Sequence, residues 1–447
     1  MSDRAVVPLA TRLPWGILLV SLVISGIGVM NLASAAQATR PDTHWKQLAY
    51  FAIGYLLVAF IGRSRIFVLE AVAYPIYLLV NALLVVVLVA GTTVKGAQRW
   101  IDLGVIMLQP SELAKISIIL VTARYFSRFR VDGGYTLRAL LMPLNLSRPL
   151  GVFVLLCMRW WKQGVEAIPR LPPNALDAAA AVPEEALADP LWLKLLLFLV
   201  VAAWGAGGIF MLFREGLHVR RFIAPADVIL LPWALIVIEP DLGTSLIVLA
   251  IAGSQVLFAG VRRSSLLIAS LALGVTVVFG WSFLLKDYQK RRVETFLNPE
   301  QDIQGAGYHS AQSMIAIGSG QLTGKGLGQG TQTQLSFLPE NHTDFAFSVL
   351  AEEWGFIGGA VLIFLFMSLV LLMLRDARRY SDRFAALVNV GAAAMIFWHV
   401  LINIGMVTGL LPVVGMTLPF ISYGGSSLLT QMACLGFAVS TRVWRRS

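Results

Sequence analysis

Apolar and polar positions fall along this chain in long blocks, not in the short periods of a water-soluble fold. Residues 13–39 contain no Asp, Glu, Lys or Arg, and neither do 47–62, 71–94, 242–261, 264–285 and 354–374. About 20 helical residues cross the roughly 30 Å hydrocarbon core, so each block predicts a membrane-spanning helix, 47–62 being slightly short. Residues 191–213 predict another, interrupted only by Lys194 near its end, where a lysine can snorkel. Residues 384–441 are free of charge over far more than one crossing, and Pro412 and Pro419 divide them into two helices and a turn. Two shorter segments, 110–123 and 228–239, carry charges and need a protein-lined environment.

Basic residues set the orientation. They cluster at Arg63 and Arg65, at Arg124, Arg128 and Arg130, at Arg214, Arg220 and Arg221, and at Arg262 and Arg263. Further clusters are Arg375, Arg378, Arg379 and Arg383, then Arg442, Arg445 and Arg446. Placing all of them inside puts both termini in the cytoplasm and the loops at 37–47, 91–109, 286–342 and 411–421 outside. The weak apolar run 140–161, with Pro143, Arg148, Pro149 and Arg159, would not be read as a span on hydropathy alone. Parity requires it. Residues 191–213 cross once between two cytoplasmic clusters, so a second crossing must precede them, with the Pro/Ala-rich linker 169–190 outside. The expected total is twelve spans.

Composition agrees. Of 447 residues, 57% are hydrophobic and 13% charged, with mean hydropathy +0.75, which excludes a soluble enzyme, a disordered chain and a coiled coil. The net charge of +10 belongs to cytoplasmic loops and not to a nucleic-acid face. Cys157 and Cys434 both lie in apolar stretches, so no disulfide framework or cysteine-based metal site is available. The first apolar run is too long for a cleaved signal and reads as a retained anchor.

Most polar information sits in the outer loop, residues 286–343. It holds Arg291, Arg292, Asp302, Tyr308, His309 and Gln312, a glycine-dense stretch from Gly318 to Gly330 around Lys325, then Gln332, Glu340 and His342, with Asp344 directly after it. Long loops tend to be functional, and glycine lets backbone N–H groups approach phosphate or sugar oxygens. The same stretch also reads as a flexible turn. It is no Walker motif, because Ser or Thr does not follow the lysine in frame. Asp302 reads either as a helix-capping turn residue or as a general base. His309 and His342 read as hydrogen-bonding residues before ligands, and two histidines make no convincing zinc site. Glu112 and Lys115 share one helix face and can pair, and Glu239 and Asp241 flank Pro240. Such groups are structural ion pairs or parts of an ion or substrate path. Glu352 and Glu353 repeat that ambiguity. The small residues of Tyr423-Gly-Gly-Ser-Ser427 suit close helix packing or an anion at a helix start.

At these motifs the chain resembles the SEDS family of bacterial cell-wall polymerases. The stretches are Lys95-Gly-Ala-Gln-Arg-Trp-Ile-Asp-Leu-Gly104, Gln109-Pro-Ser-Glu-Leu-Ala-Lys115, Pro240-Asp-Leu-Gly-Thr-Ser245 and Phe296-Leu-Asn-Pro-Glu-Gln-Asp302. Gly307-Tyr-His309, Gln312-Ser-Met-Ile-Ala-Ile-Gly-Ser-Gly320, Gly328-Gln-Gly-Thr-Gln-Thr-Gln334, Phe337-Leu-Pro-Glu340, His342-Thr-Asp-Phe345 and Leu418-Pro-Phe-Ile-Ser-Tyr-Gly-Gly-Ser-Ser427 follow in order. Lys95-Gly-Ala-Gln98, Leu411-Pro-Val-Val414 and the Gly-Thr-Gln-Thr-Gln run look like the elongation branch of the family and not the division branch.

The resemblance implies an all-α polytopic membrane protein, a ten-helix bundle extended here to twelve by an insertion within 131–225. It implies a peptidoglycan glycosyltransferase that polymerises lipid II outside the cytoplasmic membrane during elongation. A class B penicillin-binding protein, as crosslinking partner, and other elongation-complex membrane proteins would accompany it. The family's loop aspartate falls on Asp302, as catalytic base. Its intramembrane polar residues fall on Glu112, Lys115 and Asp241. Arg291, Arg292, Lys325, glycine-loop N–H groups or a divalent cation (Mg or Mn) would neutralise the pyrophosphate, the metal question staying open. Ile303 stands where proline often follows the aspartate. A lipid II flippase and a non-catalytic scaffold are the alternatives; a flippase would concentrate its polar residues near the bilayer midplane, whereas here they crowd an outer loop.

Overall fold

The computed structural model describes residues 13–37, 42–94, 97–102, 107–129, 131, 133–141, 225–239, 241–283, 296, 306–335, 337 and 340–444. Most of the 140–161 run, the 169–190 linker, the 191–213 span, and Arg291, Arg292 and Asp302 lie outside these residues.

Helices dominate. They are α1 (Trp15–Ala35), α2 (Thr43–Arg63), α3 (Ile66–Ala90), α4 (Pro110–Arg128), α5 (Leu137–Leu141), α6 (Pro225–Ile238), α7 (Leu242–Ala259) and α8 (Arg263–Phe283). After them come α9 (Ala306–Ser319), α10 (Thr331–Gln334), α11 (Ala346–Ala377), α12 (Arg383–Val407) and α13 (Gly425–Val443). Helices α1, α2, α3, α7, α11 and α12 are long and apolar enough to cross a membrane. The charge-free stretch 384–441 is two helices, α12 and α13, with an irregular segment around Pro412 and Pro419 between them.

Helix starts follow local chemistry. Pro110 opens α4, where its missing N–H costs nothing. The Asp241 side chain caps α7 by accepting from the Thr244 amide, and Asp382 caps α12 by accepting from Phe384 and Ala385. The segment between α3 and α4 holds a small antiparallel sheet that hydropathy gave no sign of. Strands β1 (Thr92–Val94), β2 (Ala97–Asp102) and β3 (Met107–Leu108) run in that order, with Thr92 opposite Trp100 and Ile101 opposite Leu108.

Helices α4 and α12 form the middle of the bundle, packing against each other and both against α7. In α12, 72% of the most apolar stretch is buried against 28% in α2, which places α2 at the lipid-facing rim. Gln255 of α7 ties the centre together. Its Nε2 donates to Ile119 O of α4 (2.9 Å) and Leu387 O of α12 (3.0 Å), and its Oε1 accepts from Thr122. At the rim, α11 packs on α1 and α12, and α13 lies along α2.

The α2–α13 contact depends on missing side chains. A Cβ at Gly54 would stand 2.6 Å from Met432, one at Gly62 2.7 Å from Val439, and one at Gly436 2.9 Å from Ile61. Small residues bring backbones close where lipid offers no hydrophobic drive for association. Gly54→Leu should therefore lower stability by about 1–3 kcal/mol, the usual cost of overpacking. A lower thermal midpoint in detergent would show it, and an unchanged midpoint would count against this contact as a stability determinant.

Candidate functional site

Polar groups gather in three places: inside the bundle at α4, at the break in α11, and at one end of the bundle around residues 340–345 and 423–427.

Inside the bundle, Lys115 is fully buried and Glu112 nearly so. The Lys115 ammonium donates to Glu112 Oε1 (2.7 Å) and lies 3.2 Å from His399 Nε2 on α12. Because the ammonium has only donors, His399 accepts through an unprotonated Nε2. Asp241 stands at the outer end of the same helix. Its Oδ2 accepts from Gln109 Nε2 (3.2 Å) and Ser111 Oγ (3.3 Å), and its Oδ1 caps α7. Asp241 thus pins α4 to α7, while Lys115 pins α4 to α12. His399 was not visible in the sequence: one histidine in a charge-free stretch gives no pattern, and only the fold brings it to Lys115.

The second gathering is built on a broken helix. Gly355 interrupts α11 with φ +67° and ψ −165°, a conformation glycine adopts without strain. The glycine-rich loop lies across the break. Phe356 N donates to Gln321 O (2.8 Å), Ile357 N to Leu322 O (3.1 Å), Lys325 N to Glu352 O (3.1 Å) and Gly326 N to Glu353 O (2.9 Å). A Cβ at Gly324 would sit 2.1 Å from Glu353 O, so only glycine fits there.

Glu352, with no exposed surface, organises the loop from inside. Its Oε1 accepts from Lys325 Nζ (2.7 Å) and from the Gln332 amide (3.0 Å), and its Oε2 accepts from Thr333 Oγ1 (3.1 Å). Glu353 accepts from Ser34 at the outer end of α1. Both glutamates tie the loop to its neighbours, Glu352 through Lys325, Gln332 and Thr333 and Glu353 through Ser34. Lys325 is correspondingly committed to Glu352, a quarter of its side chain still exposed.

On the outer end, α9 docks on the start of α11, where Ser313 Oγ meets Ser348 Oγ (2.6 Å) and donates to Val407 O (2.7 Å). That docking sets His309 beside the 340–345 turn, its ring 6.2 Å from that of Phe345. Glu340 takes the left-handed conformation at φ +53°, and its side chain accepts from Thr343 Oγ1 (3.0 Å). The His342 carbonyl accepts from Tyr423 N (2.8 Å), and Asn403 on α12 holds the Asp344 carbonyl (2.9 Å). Ser426 reaches the Met107 carbonyl of β3 (3.2 Å), joining the small sheet to the same surface. Tyr308, His309, Gln312, Lys325, Gln332, Glu340, His342 and Asp344 are all half-buried, neither enclosed nor fully in solvent. That is the exposure expected of groups lining a shallow site. Among the described residues, no three of His, Cys, Asp or Glu converge in a way that could hold a metal ion.

This polytopic helical bundle is matched by known proteins. The family described as "Cell cycle protein", which joins FtsW, RodA and SpoVE, matches residues 11–159 and 192–446, and the chain belongs to it. The peptidoglycan glycosyltransferase MrdB of Escherichia coli (strain K12) is 34% identical over 402 residues, covering 90% of this chain and 86% of its own. The peptidoglycan glycosyltransferase RodA of Treponema pallidum is 32% identical over 450 residues, covering 95% of this chain and 96% of its own. A solved structure described as "Structural coordination of polymerization and crosslinking by a peptidoglycan synthase complex" aligns with TM-score 0.66 and 26% identity over 96% of this chain and 97% of its own. The rod shape determining protein RodA of Thermus thermophilus aligns with TM-score 0.58 and 25% identity over 97% of each chain. Within the 131–225 stretch, the family leaves only residues 160–191 unmatched.

Two predictions follow from the buried carboxylates. Lys115→Met should strand Glu112 in a low-dielectric interior and lower stability by about 3–5 kcal/mol, and adding Glu112→Gln should recover part of that loss. Additive effects in thermal unfolding of the two single variants and the double would mean the groups act independently. Glu352→Gln keeps the shape but removes the charge facing Lys325, so amide exchange across 321–334 should speed up while exchange in α12 stays unchanged. Unaltered exchange in that loop would show that Glu352 does not hold it.

Proposed function

We propose that this chain is a peptidoglycan glycosyltransferase that polymerises lipid II into glycan strands during cell elongation. The observation that carries the reading is the similarity to curated peptidoglycan glycosyltransferases over nine-tenths of the chain, 34% identical in the case of MrdB. The crowding of half-buried polar groups on the end that bears the long loop supports it. The chain would sit in the bacterial cytoplasmic membrane with both termini inside and that loop outside, the orientation required by its basic clusters. A crosslinking penicillin-binding protein of class B would be its partner, in keeping with a structural relative described as coordinating polymerization and crosslinking.

In the proposed step the acceptor sugar's 4-hydroxyl attacks the donor's anomeric carbon. The new glycosidic C–O bond forms as the bond to undecaprenyl pyrophosphate breaks, with inversion. The hydroxyl proton passes to the Asp302 carboxylate, and the leaving group departs with the electron pair. A positioned base of this kind contributes typically 10²–10⁴-fold. Tyr308, His309, Gln312, Gln332, Glu340, His342 and Asp344 are the candidates for holding the sugars and peptide. Lys325 already faces Glu352 at 2.7 Å, so Arg291 and Arg292 are better placed by chemistry to meet the pyrophosphate. Among the described residues, no three His, Cys, Asp or Glu side chains gather to hold a divalent cation.

The test is direct. Purified protein incubated with lipid II should yield glycan polymer in the presence of moenomycin, and Asp302→Asn should reduce the rate by about 100-fold or more while leaving membrane insertion intact. Wild-type protein that moves lipid II across vesicles without polymerising it would establish the flippase alternative instead. Full polymerisation by the variant would remove Asp302 from the role of base.

A further inference from the structure

One buried side chain joins two separate stretches of backbone beside the candidate site. Asn403, near the end of α12, has no exposed surface. Its Nδ2 donates to Asp344 O (2.9 Å), in the 340–345 turn, and also to Met416 O, where the segment 416–423 begins. Both partners are carbonyl oxygens, so only a group with two N–H donors can bridge them. The bridge also has a fixed register. Asn403 lies four residues beyond His399 and therefore on the same face of α12, and His399 is held by Lys115.

The 416–423 segment is irregular backbone enclosed by protein. Leu418, Phe420 and Ile421 are buried, and Phe420 takes the left-handed conformation at φ +61°. A bulky residue is strained there, and such strain persists only where the surroundings impose it. The Phe420 amide donates to Gln431 Oε1 (3.1 Å), and its carbonyl lies where a Cβ on Gly28 of α1 would stand 2.1 Å away. At the end of the segment, Tyr423 N donates to His342 O (2.8 Å). The 340–345 turn is thus tied to this segment twice, at Asp344 through Asn403 and at His342 through Tyr423. Gly415, just before the segment, borders the Asp344 carboxylate, since a Cβ there would stand 3.5 Å from Oδ2.

We propose that Asn403 is a positioning residue for the reaction. By holding Asp344 O and Met416 O at one spacing, it sets where Asp344 and His342 meet the hydroxyl groups of the substrate, without touching the substrate itself. The role rests on the proposed glycosyltransferase reading. The same helix supplies its control in Asn389, which is equally buried but donates to Met373 O of α11 (2.7 Å), away from both segments.

Asn403→Leu keeps the branched shape and removes both donors. During polymerisation of lipid II by the purified full chain, its KM should rise about tenfold, the scale of one ordinary hydrogen bond. Its kcat should stay within about twofold, because misplaced contacts weaken binding, whereas a loss of folded enzyme lowers kcat and leaves KM alone. Gly28→Ala presses on the Phe420 carbonyl from the opposite side and should raise KM in the same way. Asn389→Leu loses a hydrogen bond of the same kind and should leave KM unchanged. Amide exchange in Asn403→Leu should speed up across 342–345 and 418–423 and stay as in the wild type across α4. Unchanged KM in folded Asn403→Leu or Gly28→Ala protein would overturn the positioning role, as would an equal rise in Asn389→Leu. Unaltered exchange in both segments would overturn the bridge itself, with or without substrate. Wild-type protein that makes no polymer would overturn the reaction on which the role rests, a failure distinct from these.

Discussion

A lysine ammonium enclosed on every side by protein must be answered within the protein. Lys115 meets that requirement through Glu112 on its own helix and His399 on α12, and this fixes which helices can be central. Removing paired charges from water is unfavourable unless the geometry is good, so α4 and α12 must face each other at one register. Gln255 adds a neutral version of the same device one layer away, bonding to backbone carbonyls of both helices. The outer helices then pack around this centre with ordinary apolar surface and close glycine contacts. The interior polar groups specify the arrangement more than they stabilise it.

At the outer end the same constraint acts on the backbone. Breaking α11 at Gly355 frees N–H and C=O groups that lipid cannot satisfy. The glycine-rich loop meets them, returning N–H groups to Glu352 O and Glu353 O and accepting from Phe356 and Ile357. Its glycines serve this close approach, at Gly324 above all. These glycines splint a broken helix.

Much of this was legible in the chain. Charge-free blocks locate α1, α2, α3, α7, α11 and the split between α12 and α13, because hydrocarbon penalises charge so heavily that its absence is a signal. The Glu112–Lys115 pair could be read from spacing alone, since residues three apart share a helix face. The start of α11 at Ala346 could not: two glutamates interrupt the apolar pattern there, and their acceptability depends on a loop more than 15 residues away folding back on them. His399 and the β1–β3 sheet were hidden for a related reason. A lone polar residue or a short strand carries little local information and gains meaning only from its partners.

Lys325 shows how a residue's partner limits what it can do. In the sequence, a lysine between glycines on an outer loop invites assignment to an anionic ligand. In the fold its ammonium faces the buried carboxylate of Glu352, which has no exposed surface and accepts from Gln332 and Thr333 as well. Moving that ammonium to another anion would leave the buried carboxylate of Glu352 with neutral donors only. An anion recruiting Lys325 would therefore compete with the lock that shapes the loop. A basic residue without a buried counter-ion faces no such conflict. Lys325 is thus engaged in holding the loop through Glu352.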